Sequence, residues 1–196
     1  MKYNPKIHHR RSVRLEGYDY AKEGMYFVTI CCKDKIHFFG EVKNEKMELN
    51  EFGNIAHQLW ENLPERWPHI ILGAFQIMPN HMHGVLLIQR PTTNEDTTTL
   101  NRSNLYAPSS LPDEKPFSKL QWATRPYLGQ IIGAYKSMVS TECLKSHKQK
   151  TPENWLDKIW QRSFDERIIR NEEAFEKITN YIINNPVKWK EDKFFS

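Results

Sequence analysis

Two histidines, His81 and His83, stand one residue apart in the apolar run "QIMPNHMHGVLLIQR" (residues 76–90). On a β-strand, residues i and i+2 share a face, so both imidazoles project together while Met82 turns to the other side. Paired imidazoles suit a divalent cation, which tolerates crowding that a dry core does not. The pattern is short, and it equally fits a half-exposed sheet face with two ordinary histidines. Further on, "NEEAFEKITNYIINNP" (171–186) has helical spacing. At about 100° per residue, Phe175, Ile178 and Ile182 form its apolar stripe. Tyr181 lies roughly 60° round from Ile178, at the edge of that stripe, and Asn185 about 40° from Tyr181 on the same face.

If the histidines project at that helix–sheet boundary, two imidazoles, an amide oxygen and a phenol meet. A cation held by the first three keeps positions open for a phosphate oxygen and polarises the phosphorus. Tyr181 can then attack to give a covalent phosphotyrosine. A phenol of pKa about 10 is a better leaving group than an alkoxide, so the step reverses. Each residue alone has a plainer reading. A tyrosine beside an apolar stripe is commonly a core-edge residue, and Asn before Pro is a common helix end. Tyr135 is the rival nucleophile, but it sits on an apolar stripe of its own and reads as core. His57 falls among apolar positions and reads as structural, and His37 and His69 have no metal-spaced partner. Trp122, Trp155 and Trp160 could stack on unpaired bases or belong to the core.

The elements that must position these groups follow from periodicity. "GMYFVTICCK" (24–33) is β-branched and aromatic and predicts a strand, with "IHFFGEVK" (36–43) as its hairpin partner. Phe52, Ile55, Ala56, Leu59 and Leu63 predict a helix capped by Asn50 and stopping near Pro64. Residues 69–78 and 81–88 read as strands joined at Pro79-Asn80. A helix over 127–146 carries Leu128, Ile131, Ile132, Tyr135, Met138 and Val139 on one face, and 159–169 reads as a strand. The last helix is capped by Asn171, with Glu172 and Glu173 at its positive end and Pro186 after it. This order predicts an α+β fold, a ferredoxin-like sandwich with a mainly antiparallel sheet and helices packed on it.

At 196 residues the chain reads as one domain, 1–196, with a basic N-terminal arm (1–15) and a flexible Thr/Ser/Pro-rich insert at about 90–126. Charged residues make up 27%, and no apolar run reaches the roughly 18 residues of a membrane span. The basic start lacks the apolar stretch of a signal peptide. Three cysteines, Cys31, Cys32 and Cys143, leave one unpaired and offer no C-x-x-C spacing, which suits reduced thiols in a cytoplasm. Net charge is only +4. Its distribution says more. Lys2, Lys6, Arg10, Arg11 and Arg14 crowd the arm, and Lys136, Lys145, Lys148 and Lys150 form a second cluster. Both attract polyanions, nucleic acid first, or are solvated faces.

"MPNHMHGVLLI", "WQRSFDERIIR" and "NYIINNPVKW", with the opening "RSVRLEGYDYAKEGMYFVTICCKD", resemble the HUH-class single-tyrosine transposases, and among them the REP-associated tyrosine transposases. The resemblance covers nearly the whole chain outside the 90–126 insert. It implies an HUH endonuclease fold with His81 and His83 as metal ligands, Tyr181 as nucleophile and Asn185 as a further ligand. The implied activity is metal-dependent cleavage and strand transfer of single-stranded DNA at hairpin, palindromic ends, through a 5′-phosphotyrosine. Mg²⁺ or Mn²⁺ is the expected cofactor, imidazole favouring Mn²⁺. Arg10, Arg11, Arg14 and Lys136 are expected DNA contacts. The protein is expected in the cytoplasm as monomer or homodimer, nucleoid-associated when bound to DNA, with no membrane partner. In one departure from the pattern, Arg167 stands where many relatives carry histidine. A non-catalytic DNA-hairpin binder and a phosphohydrolase using water are the alternatives.

Overall fold

Tyr26, Val28 and Ile30 alternate with Phe27 and Thr29 along β1 (Gly24–Cys31), and all five are buried, so both faces of this strand are covered. A strand buried on both faces belongs in the middle of a sheet. The computed structural model, which describes residues 23–89, 127–150 and 158–195, places it there. After β1 come β2 (Gly40–Lys43), β3 (Lys46–Leu49), α1 (Glu51–Glu61) and the short α2 (Leu63–Arg66). The hairpin β4 (Ile70–Met78) and β5 (His81–Ile88) follows, then α3 (Leu128–Lys150), β6 (Asp165–Ile169) and α4 (Glu172–Ile183).

The main sheet has the order β4-β5-β1-β6 and is antiparallel at every pairing. Read as β1–α1–β4–β5–α3–β6, this is the split unit of a ferredoxin-like sandwich, with the β2–β3 hairpin inserted before α1. The α+β reading of the sequence stands. Tyr26, Val28, Ile30, Met82 and Leu86 form one inner face, against Ala56 and Trp60 of α1 and Ile131, Ile132, Tyr135 and Val139 of α3. The Tyr135 hydroxyl donates to the Ala56 carbonyl at 2.9 Å and ties the two helices together. On the opposite face Phe27, Val85 and Ile169 meet Ile182, Phe175 and Ile178 of α4.

Gly84 has a specific reason to be glycine. A Cβ there would lie 2.4 Å from a Trp60 ring carbon, so the indole packs directly onto the β5 backbone.

Two expectations need correction. The strand at Gly40–Lys43 pairs with Lys46–Leu49 and not with β1. Asn44 and Glu45 adopt positive φ of 50° and 61°, which makes a tight hairpin turn between them. Asp34 and Lys35 also have positive φ and turn the chain away from β1. The strand expected over 159–169 is confined to Asp165–Ile169, because Trp160 makes only an isolated bridge to Cys32. α1 stops at Glu61, near Pro64 as expected, and Pro64 then opens α2, its missing N–H being harmless in a first turn. The caps follow expectation: Asn50 and Asn171 side chains accept from the backbone N–H groups of Gly53 and Ala174. All three cysteines are buried and free. No helix among the described residues is long and apolar enough to cross a membrane. The arm with Arg10, Arg11 and Arg14, the 90–126 insert, Trp122 and Trp155 lie outside the described residues.

Candidate active site

Strand alternation on β5 sends Met82 into the main core and His81 and His83 to the α4 side of the sheet, all three with 0–1% exposure. Across β1 the register sets Thr29 opposite His83 and Cys31 opposite His81. The Thr29 hydroxyl lies 2.9 Å from His83 Nδ1, and Asn80 Oδ1 lies 2.9 Å from His81 Nδ1. Asn80 Nδ2 donates to the carbonyls of Lys35 and Phe194, which fixes its Oδ1 as the acceptor. His81 therefore carries its proton on Nδ1 and turns a lone pair outward on Nε2. The two Nε2 atoms are 3.1 Å apart. Thr29 can donate or accept, so it holds the His83 ring in either tautomer.

Burial pushes the His81 imidazole down to about 3, with the Lys193 charge acting in the same direction. Burial is also the first cause that lowers His83 well below its usual range, the neighbouring His81 adding to it. Both rings are thus neutral at physiological pH, the form that binds a cation.

Tyr181 projects from the edge of the α4 stripe and is 40% exposed. Its Oη lies 3.0 Å from His83 Nε2 and donates to Asp192 Oδ2 at 3.2 Å. Asn185 Nδ2 donates to the same Oδ2 at 2.7 Å, and the Phe194 N–H donates to Oδ1 at 2.7 Å. The Phe27 ring stacks on His83 at 5.4 Å and meets Tyr181 edge-on at 6.2 Å. Burial, and then the Asp192 carboxylate, push the Tyr181 phenol up to about 12.

These donors fit a divalent cation. One ligand atom each from His81, His83 and Asp192 all lie within 4.8 Å of one another. Asn185 Oδ1 is buried and has no hydrogen-bond partner among the described residues. Two imidazole nitrogens with carboxylate and amide oxygens form a borderline donor set of the kind Mn²⁺ and its neighbours accept.

The structure brings together four residues singled out in the sequence, His81, His83, Tyr181 and Asn185. Asp192, Thr29 and Asn80 escaped sequence reasoning. Thr29 emerges only once the β1–β5 register is known, and Asp192 follows Pro186 in "VKWKEDKFF", where no periodicity marks it. Tyr135 is fully buried in the core, as expected. His57 departs from its structural reading, since its side chain is 40% exposed and pairs with Glu61 at 3.2 Å on the surface of α1. Trp160 is buried. Lys136 donates to the carbonyls of Gln161 and Ser163, so its ammonium is engaged in anchoring the chain before β6.

No family model matches the chain. An uncharacterized protein of Haemophilus influenzae is 37% identical over 194 residues, covering 99% of this chain and 97% of the relative. A second Haemophilus influenzae protein, provisionally named a REP-associated tyrosine transposase, is 27% identical over 172 residues, 87% of this chain and 74% of that protein. A solved REP-associated tyrosine transposase bound to a REP hairpin matches with a TM-score of 0.50 at 18% identity, covering 92% of this chain and 77% of that one. The chain is thus similar in sequence and in fold to REP-associated tyrosine transposases. The solved structure shows that the fold is shared, the mainly antiparallel four-stranded sheet with its helices included.

Proposed function

We propose that this protein is a REP-associated tyrosine transposase, a metal-dependent, single-strand DNA endonuclease and strand transferase that acts at hairpin ends through a covalent 5′-phosphotyrosine on Tyr181. The observation that carries this reading is the 3.0 Å approach of Tyr181 Oη to His83 Nε2, at the mouth of the His81, His83 and Asp192 donor set. A DNA hairpin is the partner in the solved relative, which supports the same class of partner here.

His81, His83 and Asp192 would hold the cation, with Asn185 Oδ1 in reserve as a further oxygen. Bound there, a divalent ion supplies Lewis-acid polarisation of the phosphate and offsets the Asp192 charge that opposes a phenolate. The remaining work falls to side chains. Thr29 and Asn80 orient the imidazoles, as outer partners of ligating histidines do. Asp192 accepts the phenol hydrogen bond and is placed to take its proton. The Tyr181 oxygen forms the new bond to phosphorus, the bond from phosphorus to the 3′ oxygen breaks, and that oxygen leaves as a hydroxyl with a proton from water. Reversal by another 3′ hydroxyl rejoins a strand and frees the phenol, so phosphodiester energy is conserved.

The test is covalent capture. A hairpin oligonucleotide with single-stranded flanks, labelled at its 3′ end, should become attached to the protein when Mn²⁺ or Mg²⁺ is added. Tyr181→Phe should abolish attachment and leave DNA binding within about twofold, since only a hydroxyl is lost, a change on the order of 1 kcal/mol in the fold. Cleavage without attachment would indicate attack by water. Binding with neither would indicate a non-catalytic hairpin binder.

A further inference from the structure

We propose that Arg167 binds the scissile DNA phosphate beside Tyr181; this deepens the tyrosine-transposase reading and rests on it.

β6 is the edge strand of the main sheet, and its register sets Arg167 directly opposite Phe27. Alternation along β6 gives Asp165, Arg167 and Ile169 one face and Glu166 and Ile168 the other. Ile169 packs with Phe27 and Ile182 beneath α4, and Ile168 packs on the main core. Arg167 therefore emerges on the α4 side of the sheet, next to the ring that touches both His83 and Tyr181. Directly opposed residues of an antiparallel pair stand about 5 Å apart at Cβ, so a guanidinium starting there reaches past the Phe27 edge. Its charge acts on the phenol, drawing Tyr181 down against the pull of Asp192.

Arg167 is exposed, and its side chain makes no hydrogen bond or ion pair with any described residue. Nothing has to be broken for it to take a ligand. Its planar fork matches two non-bridging phosphate oxygens, which a lysine cannot reproduce. The donor set reaches Tyr181 through His83, and Arg167 approaches along Phe27. As the Tyr181–phosphorus bond forms and the bond to the 3′ oxygen breaks, charge grows on the non-bridging oxygens. A guanidinium already facing them stabilises that charge without rearrangement. The competing role is protection of an exposed strand edge, for which any charged or polar side chain serves.

Two measurements separate these roles. The first uses a hairpin oligonucleotide with randomised single-stranded flanks, labelled at its 3′ end, with Mn²⁺. Arg167→Ala and Arg167→Gln should form the covalent adduct about 100-fold more slowly than the unmodified protein, and Arg167→Lys should recover only part of the rate. The second measures equilibrium binding of the same DNA in a Tyr181→Phe background, where no cleavage intervenes. Adding Arg167→Ala should flatten the slope of log affinity against log salt by roughly 0.7, one single-strand phosphate contact. An unchanged adduct rate, or an unchanged salt slope, overturns the assignment. Should the unmodified protein form no adduct at all, the transposase reading fails instead, and the slope alone decides whether Arg167 holds a phosphate.

Discussion

Tyr181 and Asp192, 11 residues apart and separated by Pro186, share a hydrogen bond from the phenol to Oδ2 at 3.2 Å. The carboxylate has two effects there. It completes the donor set with His81 and His83, and its charge helps hold the phenol up at about 12.

Asp192→Asn should separate those effects. In metal-free protein, loss of the negative charge removes a cause that favours neutral phenol, so the Tyr181 pKa should fall. Burial is the larger cause and remains, so the pKa should stay above its ordinary value of 10. Tyrosine ring-carbon NMR across a pH series, with Tyr181→Phe to assign the signal, reads this directly. The same variant should bind Mn²⁺ more weakly by a factor on the order of 10–100. A phenol pKa that rises, or metal affinity that holds, would show that Asp192 plays neither part.

His81→Ala and His83→Ala should each weaken Mn²⁺ binding, whereas Met82→Ala should spare it and cost stability. Met82 is fully buried in the main core and the histidines face α4. Truncating a buried methionine costs about 2–5 kcal/mol. Calorimetric metal titration and thermal melts of the three variants check both halves. Equal metal affinity in both histidine variants and the parent protein refutes the ligand assignment.

The parts of this site that lie within one element were legible in the sequence, and those that depend on pairing between elements were not. His81 and His83 follow from strand alternation in eight residues of β5, and Tyr181 from helical spacing in α4; Asn185 lies two residues past the end of α4, in a turn where its N–H still bonds back to the Ile182 carbonyl and keeps it on the same face. The sandwich was legible for the same reason, because each apolar stripe requires a partner layer. Thr29 carries no mark until β1 is paired in register with β5. The β2–β3 pairing was missed because Asn44-Glu45 gives a tight turn without the glycine that usually signals one. Asp192 sits in a segment of irregular turns, where position comes from tertiary contacts such as the bond from Asn80 to the Phe194 carbonyl.

Gly84→Ala should destabilise the protein although it adds only a methyl group. The new Cβ would sit 2.4 Å from a Trp60 ring carbon, and Trp60 is fully buried. Overpacking of this kind costs about 1–3 kcal/mol, a drop of roughly 5 °C in melting temperature for a chain of this length. Trp60→Phe alone should also destabilise, but less so when combined with Gly84→Ala, because the smaller ring yields space. Strictly additive effects in that double-mutant cycle would mean that the close approach is not what requires glycine.

The basic arm should contribute to DNA affinity through phosphate neutralisation and not through the fold. Residues 2–14 hold Lys2, Lys6, Arg10, Arg11 and Arg14 and no acid. Each cation that meets a phosphate releases condensed counterions, which steepens the fall of affinity with salt by roughly 0.7 per single-strand contact and 0.9 per duplex contact. Deleting the arm should therefore flatten the slope of log affinity against log salt by two or more such contacts and leave the melting temperature nearly unchanged. Arg10→Ala, Arg11→Ala and Arg14→Ala together should account for most of the change, because the three arginines lie within five consecutive residues of the sequence. The comparison is made on a hairpin oligonucleotide with a single-stranded flank, at several salt concentrations, in the Tyr181→Phe background. Identical slopes for intact and truncated protein would make the arm a solvated tail. They would also shift the electrostatic burden to cations nearer the site, Arg167 among them.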